Sequence, residues 1–216
     1  DPIGAGIVNS YKSSGRTNVT GIRNRVPEDV QIRTIKDYLD NDYPNIGVIF
    51  SQGELNSVLN TKKLRDLSSS IGFKLTTLEY QLNADGKPIE GQLPALMSQL
   101  GKSKVDIVYV GASSYNRANS EVFIREAAKF GLPVASAYDV MVTKAGGLIA
   151  VANKYYNVGK LAAKQAKKVL FEGDIPGDLA IPSLSRYSIF INMDTARKLE
   201  IYPSIQLLRL AELINP

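Results

Sequence analysis

Residues 45–72 read NIGVIFSQGELNSVLNTKKLRDLSSSIG, and this stretch decides the fold. Asn45 to Ser51 is a short apolar run with β-branched side chains, which predicts a strand buried on both faces. Leu55 to Ile71 then carries a helical pattern that stops at Gly72, the residue type that takes a left-handed C-cap at no steric cost. A buried strand followed at once by a helix is one βα unit. Working outward, the unit recurs. Phe73 to Tyr80 alternates like a strand, and Gln92 to Leu100 is a short helix stopped by Gly101. Val105 to Val110 (VDIVYV) is a strand, Ala118 to Phe130 a helix closed by Gly131, and Pro133 to Tyr138 and Leu148 to Ala152 are further strands. Val158 to Phe171 is a long helix. Upstream, Pro27 opens a helix to about Asp42 with Val30, Ile35 and Leu39 as its apolar stripe. Repeated βα units with short strands predict an α/β fold, a doubly wound parallel sheet covered by helices on both faces.

The flanks depart from this alternation. Residues 1–26 hold Gly4, Gly6, Gly15 and Gly21 and carry no strong regular element. Beyond a Pro/Gly stretch, Tyr187 to Asn192 (YSIFIN) reads as a strand, Asp194 as the N-cap of a helix through Leu199, and Ile205 to Ile214 as a last apolar helix.

Composition removes whole classes of chemistry. The chain of 216 residues has no histidine and no cysteine. Thiolate nucleophiles, disulfides, Ser-His-Asp triads and histidine-ligated metals are therefore excluded. At 44% hydrophobic and 22% charged the chain is of ordinary globular composition, and no apolar run reaches the 18 or so residues of a membrane span. The net charge of +5 is spread along helices. Its densest cluster, Lys160, Lys164, Lys167 and Lys168, falls on one face of a helix and reads as a solvated outer face, with no recognition helix or aromatic platform for nucleic acid. Gly4-Ala5-Gly6 lacks the third glycine and the preceding strand of a dinucleotide fingerprint, and Gly101-Lys102-Ser103 lacks the upstream glycine of a P-loop. No cofactor is expected, and no general base stands in a readable catalytic motif.

Open α/β sheets bind ligands outside the carboxyl ends of their strands. That rule selects four loops. The first contains Ser51, Glu54, Asn56 and Ser57, with Asn56 or Ser57 able to cap a helix whose N–H groups face an anion. The second contains Ser113, Ser114 and Tyr115. The third is Tyr138-Asp139, where a lone carboxylate either meets a ligand ammonium, caps a helix or pairs with Lys144. The fourth, Ala152 to Tyr156, offers Tyr155. Each serine or asparagine has helix capping as its alternative role. Loops rich in hydroxyls, amides and tyrosines and poor in general bases suit binding of a small polar ligand better than bond breaking.

With these residues in view, the chain resembles the substrate-binding proteins of ABC transporters, in the branch related to tryptophan- and tyrosine-binding lipoproteins. The resemblance is carried by Asp1-Pro2-Ile3-Gly4-Ala5-Gly6-Ile7-Val8, Asn18-Val19-Thr20-Gly21-Ile22, Ile46-Gly47-Val48-Ile49-Phe50 and Asn56-Ser57. Gly146-Gly147-Leu148, Tyr155-Tyr156-Asn157-Val158-Gly159 and Ile191-Asn192-Met193-Asp194-Thr195-Ala196-Arg197-Lys198-Leu199 continue it in the family's order. It implies a periplasmic-binding-protein-like (type I) fold of two α/β lobes joined by crossover strands. Residues 1–21 would be a remnant of the N-terminal lobe, 22–186 the C-terminal ligand-binding lobe, and 187–216 a crossover strand and helices returning to the first lobe. About 100 residues of that lobe would lie outside the chain. Asn56 and Ser57 match the family turn that faces a ligand carboxylate. Asp139 matches the aspartate of a strand-end S-D motif, with Tyr138 in place of the serine. Gly111-Ala112-Ser113-Ser114 stands where many members have a P-T-D-N-like loop, so an acidic partner for a ligand ammonium is absent there.

The resemblance implies a non-enzymatic solute-binding component of an ABC importer, periplasmic or extracellular and in some members lipid-anchored, delivering a small polar, amino-acid-like ligand to a membrane permease. A ligand-sensing domain of a signalling receptor is the alternative. Without lobe-one neighbours, Tyr187 to Asn192 and Ile205 to Ile214 would expose an unpaired edge and an apolar face, which predicts homodimerisation or strand exchange.

Overall fold

Alternation within the strands sets the architecture. The computed structural model describes residues 2–216, in which the elements follow in the order α1 (Glu28–Leu39), β1 (Asn45–Phe50), α2 (Leu55–Ile71), β2 (Lys74–Glu79), α3 (Leu93–Lys102) and β3 (Ile107–Val110). Then come α4 (Ser114–Ala118), α5 (Ser120–Ala128), β4 (Val134–Ser136), α6 (Val140–Thr143), β5 (Ile149–Ala152) and α7 (Tyr155–Phe171). The chain ends with β6 (Ser188–Asn192), α8 (Met193–Leu199), α9 (Ile205–Leu210) and β7 (Ala211–Ile214). It divides into two compact units, Pro27–Ala152 with Ser188–Pro216, and residues 2–26 with Asn153–Tyr187.

The larger unit is a seven-stranded sheet in the order β2-β1-β3-β4-β5-β6-β7. Strands β1 to β5 run parallel, β6 pairs antiparallel with β5, and β7 runs parallel to β6. Because successive side chains leave a strand on opposite faces, Ile46, Val48, Ile107 and Tyr109 join one core with Ile32, Ile35 and Leu64 of α1 and α2. Ile49, Val108 and Val110 join a second core with Met97, Leu100 and Phe123 of α3 and α5. The expected α/β class, with a mostly parallel sheet covered on both faces, is what the structure has. At α1 the buried stripe is Gln31, Ile32, Thr34, Ile35 and Tyr38, with Val30 and Leu39 half-buried at its margins, and Pro27 occupies the N-cap rather than the first turn.

The carboxyl-terminal segment differs most from expectation. Strand β6 has a neighbour on each side, β5 in the register Ile149↔Ile191 and β7 in the register Ile191↔Leu213. Residues 188–216 cluster with 27–152. The strand expected to lack partners is internal to the sheet, so the argument for strand exchange through it loses its premise. Asn192, not Asp194, caps α8, its side chain accepting the Thr195 N–H at 3.1 Å.

The smaller unit is stitched by polar contacts around α7. Gln165 is buried and donates to Thr20 Oγ1 at 3.0 Å and to the Ala180 carbonyl at 2.7 Å. Ser13 Oγ donates to the Gly177 carbonyl at 2.7 Å, and the Ile181 N–H to the Tyr11 carbonyl at 2.8 Å. The Arg23 guanidinium lies 4.3 Å from the Tyr11 ring centroid. The lysine face of α7 is exposed as expected; Ala162 and Ala166 are exposed too, and within α7 Val158 and Gln165 are the buried positions.

Candidate functional site

The order β2-β1-β3 places a topological switch point between β1 and β3, where helices leaving the two strands diverge and open a crevice at the carboxyl edge. The loop after β1 is built from short-range hydrogen bonds. Ser51 is fully buried; its Oγ accepts the Gly53 N–H at 3.2 Å and its own N–H donates to Ser57 Oγ at 3.3 Å. Gly53 is required, since a side chain there would put its Cβ 1.9 Å from the Gly86 carbonyl oxygen of the loop after β2.

Glu54 takes the N-cap position of α2 in an extended conformation, with no side-chain hydrogen bond to its own helix. Its carboxylate instead crosses the switch point. Oε2 accepts from Ser113 Oγ at 2.7 Å and Oε1 accepts from the Tyr115 N–H at 2.9 Å. Ser113 Oγ in turn accepts the Asn116 N–H at 3.1 Å, capping α4. Asn116, buried to 1% exposure, accepts from the Tyr80 hydroxyl at 2.7 Å and donates to the Ile49 carbonyl at 2.9 Å, so one amide ties together the ends of β1, β2 and the β3–α4 loop. The Tyr80 and Tyr115 rings meet edge to face with centroids 5.1 Å apart. Burial, and then the neighbouring Tyr115 and Glu54, push the Tyr80 hydroxyl above its ordinary range of about 10. Burial and the Glu90 carboxylate raise Tyr115.

The structure thus brings Ser51, Glu54, Ser57, Ser113 and Tyr115 into one hydrogen-bonded edge. Asn56 and Ser57, expected as helix caps, lie inside α2; Ser57 is buried against Ser51, and Asn56 is on the exposed side. Ser114 is exposed at the start of α4. Asp139 is half-buried at the end of β4, where its Oδ1 accepts the Val140 N–H at 2.9 Å as the N-cap of α6. Tyr155 belongs to the other unit, half-exposed at the start of α7. Reasoning from sequence left out Tyr80 and the Arg117 guanidinium, which lies 5.5 Å from the Tyr138 ring centroid. The strand-end rule applied to Phe73–Tyr80 would have selected Tyr80, whereas Arg117 carried no signal.

Among the described residues no group of three or more acidic side chains could hold a metal ion, and no helix is long and apolar enough to cross a membrane. Fold and edge together define a periplasmic-binding-protein-like α/β domain. The family of ABC transporter substrate binding proteins matches residues 1–214, and the chain belongs to it. Substrate-binding proteins of ABC transporters are extracytoplasmic binders of small molecules. Among curated proteins the chain is similar to a tyrosine-binding protein of Clostridioides difficile (strain R20291), 25% identical over 201 residues, which cover 93% of this chain and 55% of that protein. The chain therefore spans about half the length of this relative. Among solved structures it is similar to a conserved domain protein of Vibrio cholerae, with a TM-score of 0.83 and 26% identity over 100% of this chain and 69% of that one. An ABC domain from Streptococcus pneumonia in complex with L-Trp shares the fold, with a TM-score of 0.81 and 24% identity over 99% and 70% of the two chains.

Proposed function

We propose that the chain belongs to the solute receptor of an ABC importer, which captures a small amino-acid-like ligand at the carboxyl edge of the sheet and passes it to a membrane permease. The observation that carries this reading is the polar and aromatic edge at the β1/β3 switch point, built from Glu54, Ser113, Tyr115, Asn116 and Tyr80. Family membership and the names of two relatives, tyrosine-binding and L-Trp-bound, support it. A second lobe would close over the edge, and the ligand would act by shifting the open–closed population without being changed. Asp139 is assigned to the ligand ammonium, and Tyr115 with Tyr80 to an apolar or aromatic side chain.

Thermal melts of the full-length protein against L-tyrosine, L-tryptophan, L-leucine, purines and sugars test the class. An amino acid at a hundred times its Kd should stabilise by about 2.7 kcal/mol. Asp139→Ala should weaken that binding more than about tenfold, or roughly 1.4 kcal/mol. Stabilisation by a sugar or purine alone would overturn the amino-acid assignment. Unchanged affinity in D139A would remove Asp139 from the site while leaving the class intact.

A further inference from the structure

We infer that Glu54 is a positioning residue of the binding edge, its carboxylate committed inside the protein to shaping the β3–α4 loop and not to the ligand. The inference rests on the reading of this edge as a ligand site and changes what its most acidic residue is for. Both carboxylate oxygens are already engaged, Oε2 by the Ser113 hydroxyl at 2.7 Å and Oε1 by the Tyr115 N–H at 2.9 Å. Charge-assisted bonds of this length are the stronger kind. Ser113 cannot turn away freely, because its Oγ also accepts the Asn116 N–H. Asn116 in turn fixes the Tyr80 hydroxyl, and Tyr80 backs the Tyr115 ring. A single carboxylate on the β1–α2 loop thereby sets the backbone of the second loop and the aromatic pair behind it.

The N-cap of α2 shows why a glutamate stands here. Ser, Thr, Asp and Asn are favoured at such positions because a short side chain folds back onto its own helix. Glu54 makes no such bond and spends its extra methylene reaching a loop 59 to 61 residues further along the chain. Reach, not charge, is therefore the property the position needs, and substitutions can separate the two. Glu54→Gln removes the charge but keeps the length and an oxygen for the Tyr115 N–H, with its NH2 directed at Ser113 Oγ. Glu54→Asp keeps the charge and loses the reach. Glu54→Ala loses both.

Amide hydrogen exchange of the ligand-free full-length protein is the first arm, with β3 amides as the control for an intact fold. The Tyr115 amide should exchange at least about tenfold faster in E54A and E54D, and stay within about threefold of the parent in E54Q. The second arm is affinity for L-tyrosine and L-tryptophan: E54Q should hold it within about threefold, whereas E54A and E54D lose about tenfold or more. Unchanged Tyr115 exchange in E54A would overturn the inference. So would E54Q losing affinity as severely as E54A with Tyr115 still protected, the signature of a direct charge contact with the ligand ammonium. If neither amino acid binds the parent protein, the ligand class proposed above fails, and the exchange arm alone decides the role of Glu54.

Discussion

Gly111 sits where β3 runs into the loop that Glu54 holds. A methyl group there would lie 2.0 Å from Asn60 Oδ1 and 2.8 Å from Tyr109 Cε1. Neither neighbour can move without loss. Asn60 is buried in α2; its Oδ1 accepts the Ala112 N–H at 3.4 Å and its Nδ2 donates to Glu28 Oε1 at 3.1 Å. The Tyr109 hydroxyl donates to Gln31 Oε1. Gly111→Ala should therefore cost about 1–3 kcal/mol, the usual penalty for overpacking. Asn60→Ala should also destabilise, by leaving the Ala112 N–H without its acceptor. The double variant should be better than the sum, because removing the amide removes the closer of the two clashes and leaves that with Tyr109. Urea unfolding of the four proteins measures the coupling. Additivity to within about 0.5 kcal/mol would show that the two positions do not collide as the geometry requires.

At the scale of elements, α2 ends with no basic residue in its last turn and borrows one from α1. Lys36 Nζ donates to the Ile71 carbonyl at 2.7 Å and to the Gly72 carbonyl at 2.9 Å, placing a cation on the negative end of the α2 dipole. Lys36→Met keeps the aliphatic stem and removes the cap, so it should lose about 1–2 kcal/mol, seen as a lower urea midpoint at unchanged m. A variant as stable as the parent would mean that water caps the carbonyls equally well. This link between helices was not legible in the sequence, and its case is general. Elements with a period of their own were readable: β1, α2 and β3 follow from apolar runs and a terminal glycine. Ile205–Ile214 was read as one helix because IQLLRLAELI fits a helical stripe, yet the backbone turns extended at Ala211 and β7 completes the sheet beside β6. There the hydrogen bonds of a sheet edge outweigh local preference. Helix α6 is a single turn, too short to show a period. The site divides the same way. Strand ends pointed to the loops holding Glu54 and Ser113, but a bond between residues 59 apart leaves no spacing signal.

Over the whole molecule, a buried tyrosine on each side of the sheet makes stability depend on alkaline pH. Tyr38 lies in the core shared by α1 and α2 and donates to the Ile201 carbonyl at 2.9 Å; Tyr80 lies in the opposite core and donates to Asn116. Burial raises both hydroxyls above 10. The folded protein therefore keeps two protons that the unfolded chain releases as pH passes about 10. Their contribution is fully present below that pH and is lost as pH rises toward the folded values. The loss is about 1.4 kcal/mol per pH unit for each tyrosine that stays protonated. Urea midpoints measured from pH 8 to 11 should be level up to about 9.5 and then fall. Tyr80→Phe should start lower, having lost the bond to Asn116, but fall less steeply, since one titrating group is gone. With Tyr38→Phe added, the slope above pH 10 should become shallower again. If Y80F kept the full slope, the Tyr80 hydroxyl would have to ionise as readily in the folded protein as in the unfolded chain, which its burial between Asn116 and Tyr115 forbids; a level profile in the parent protein would say the same of both residues.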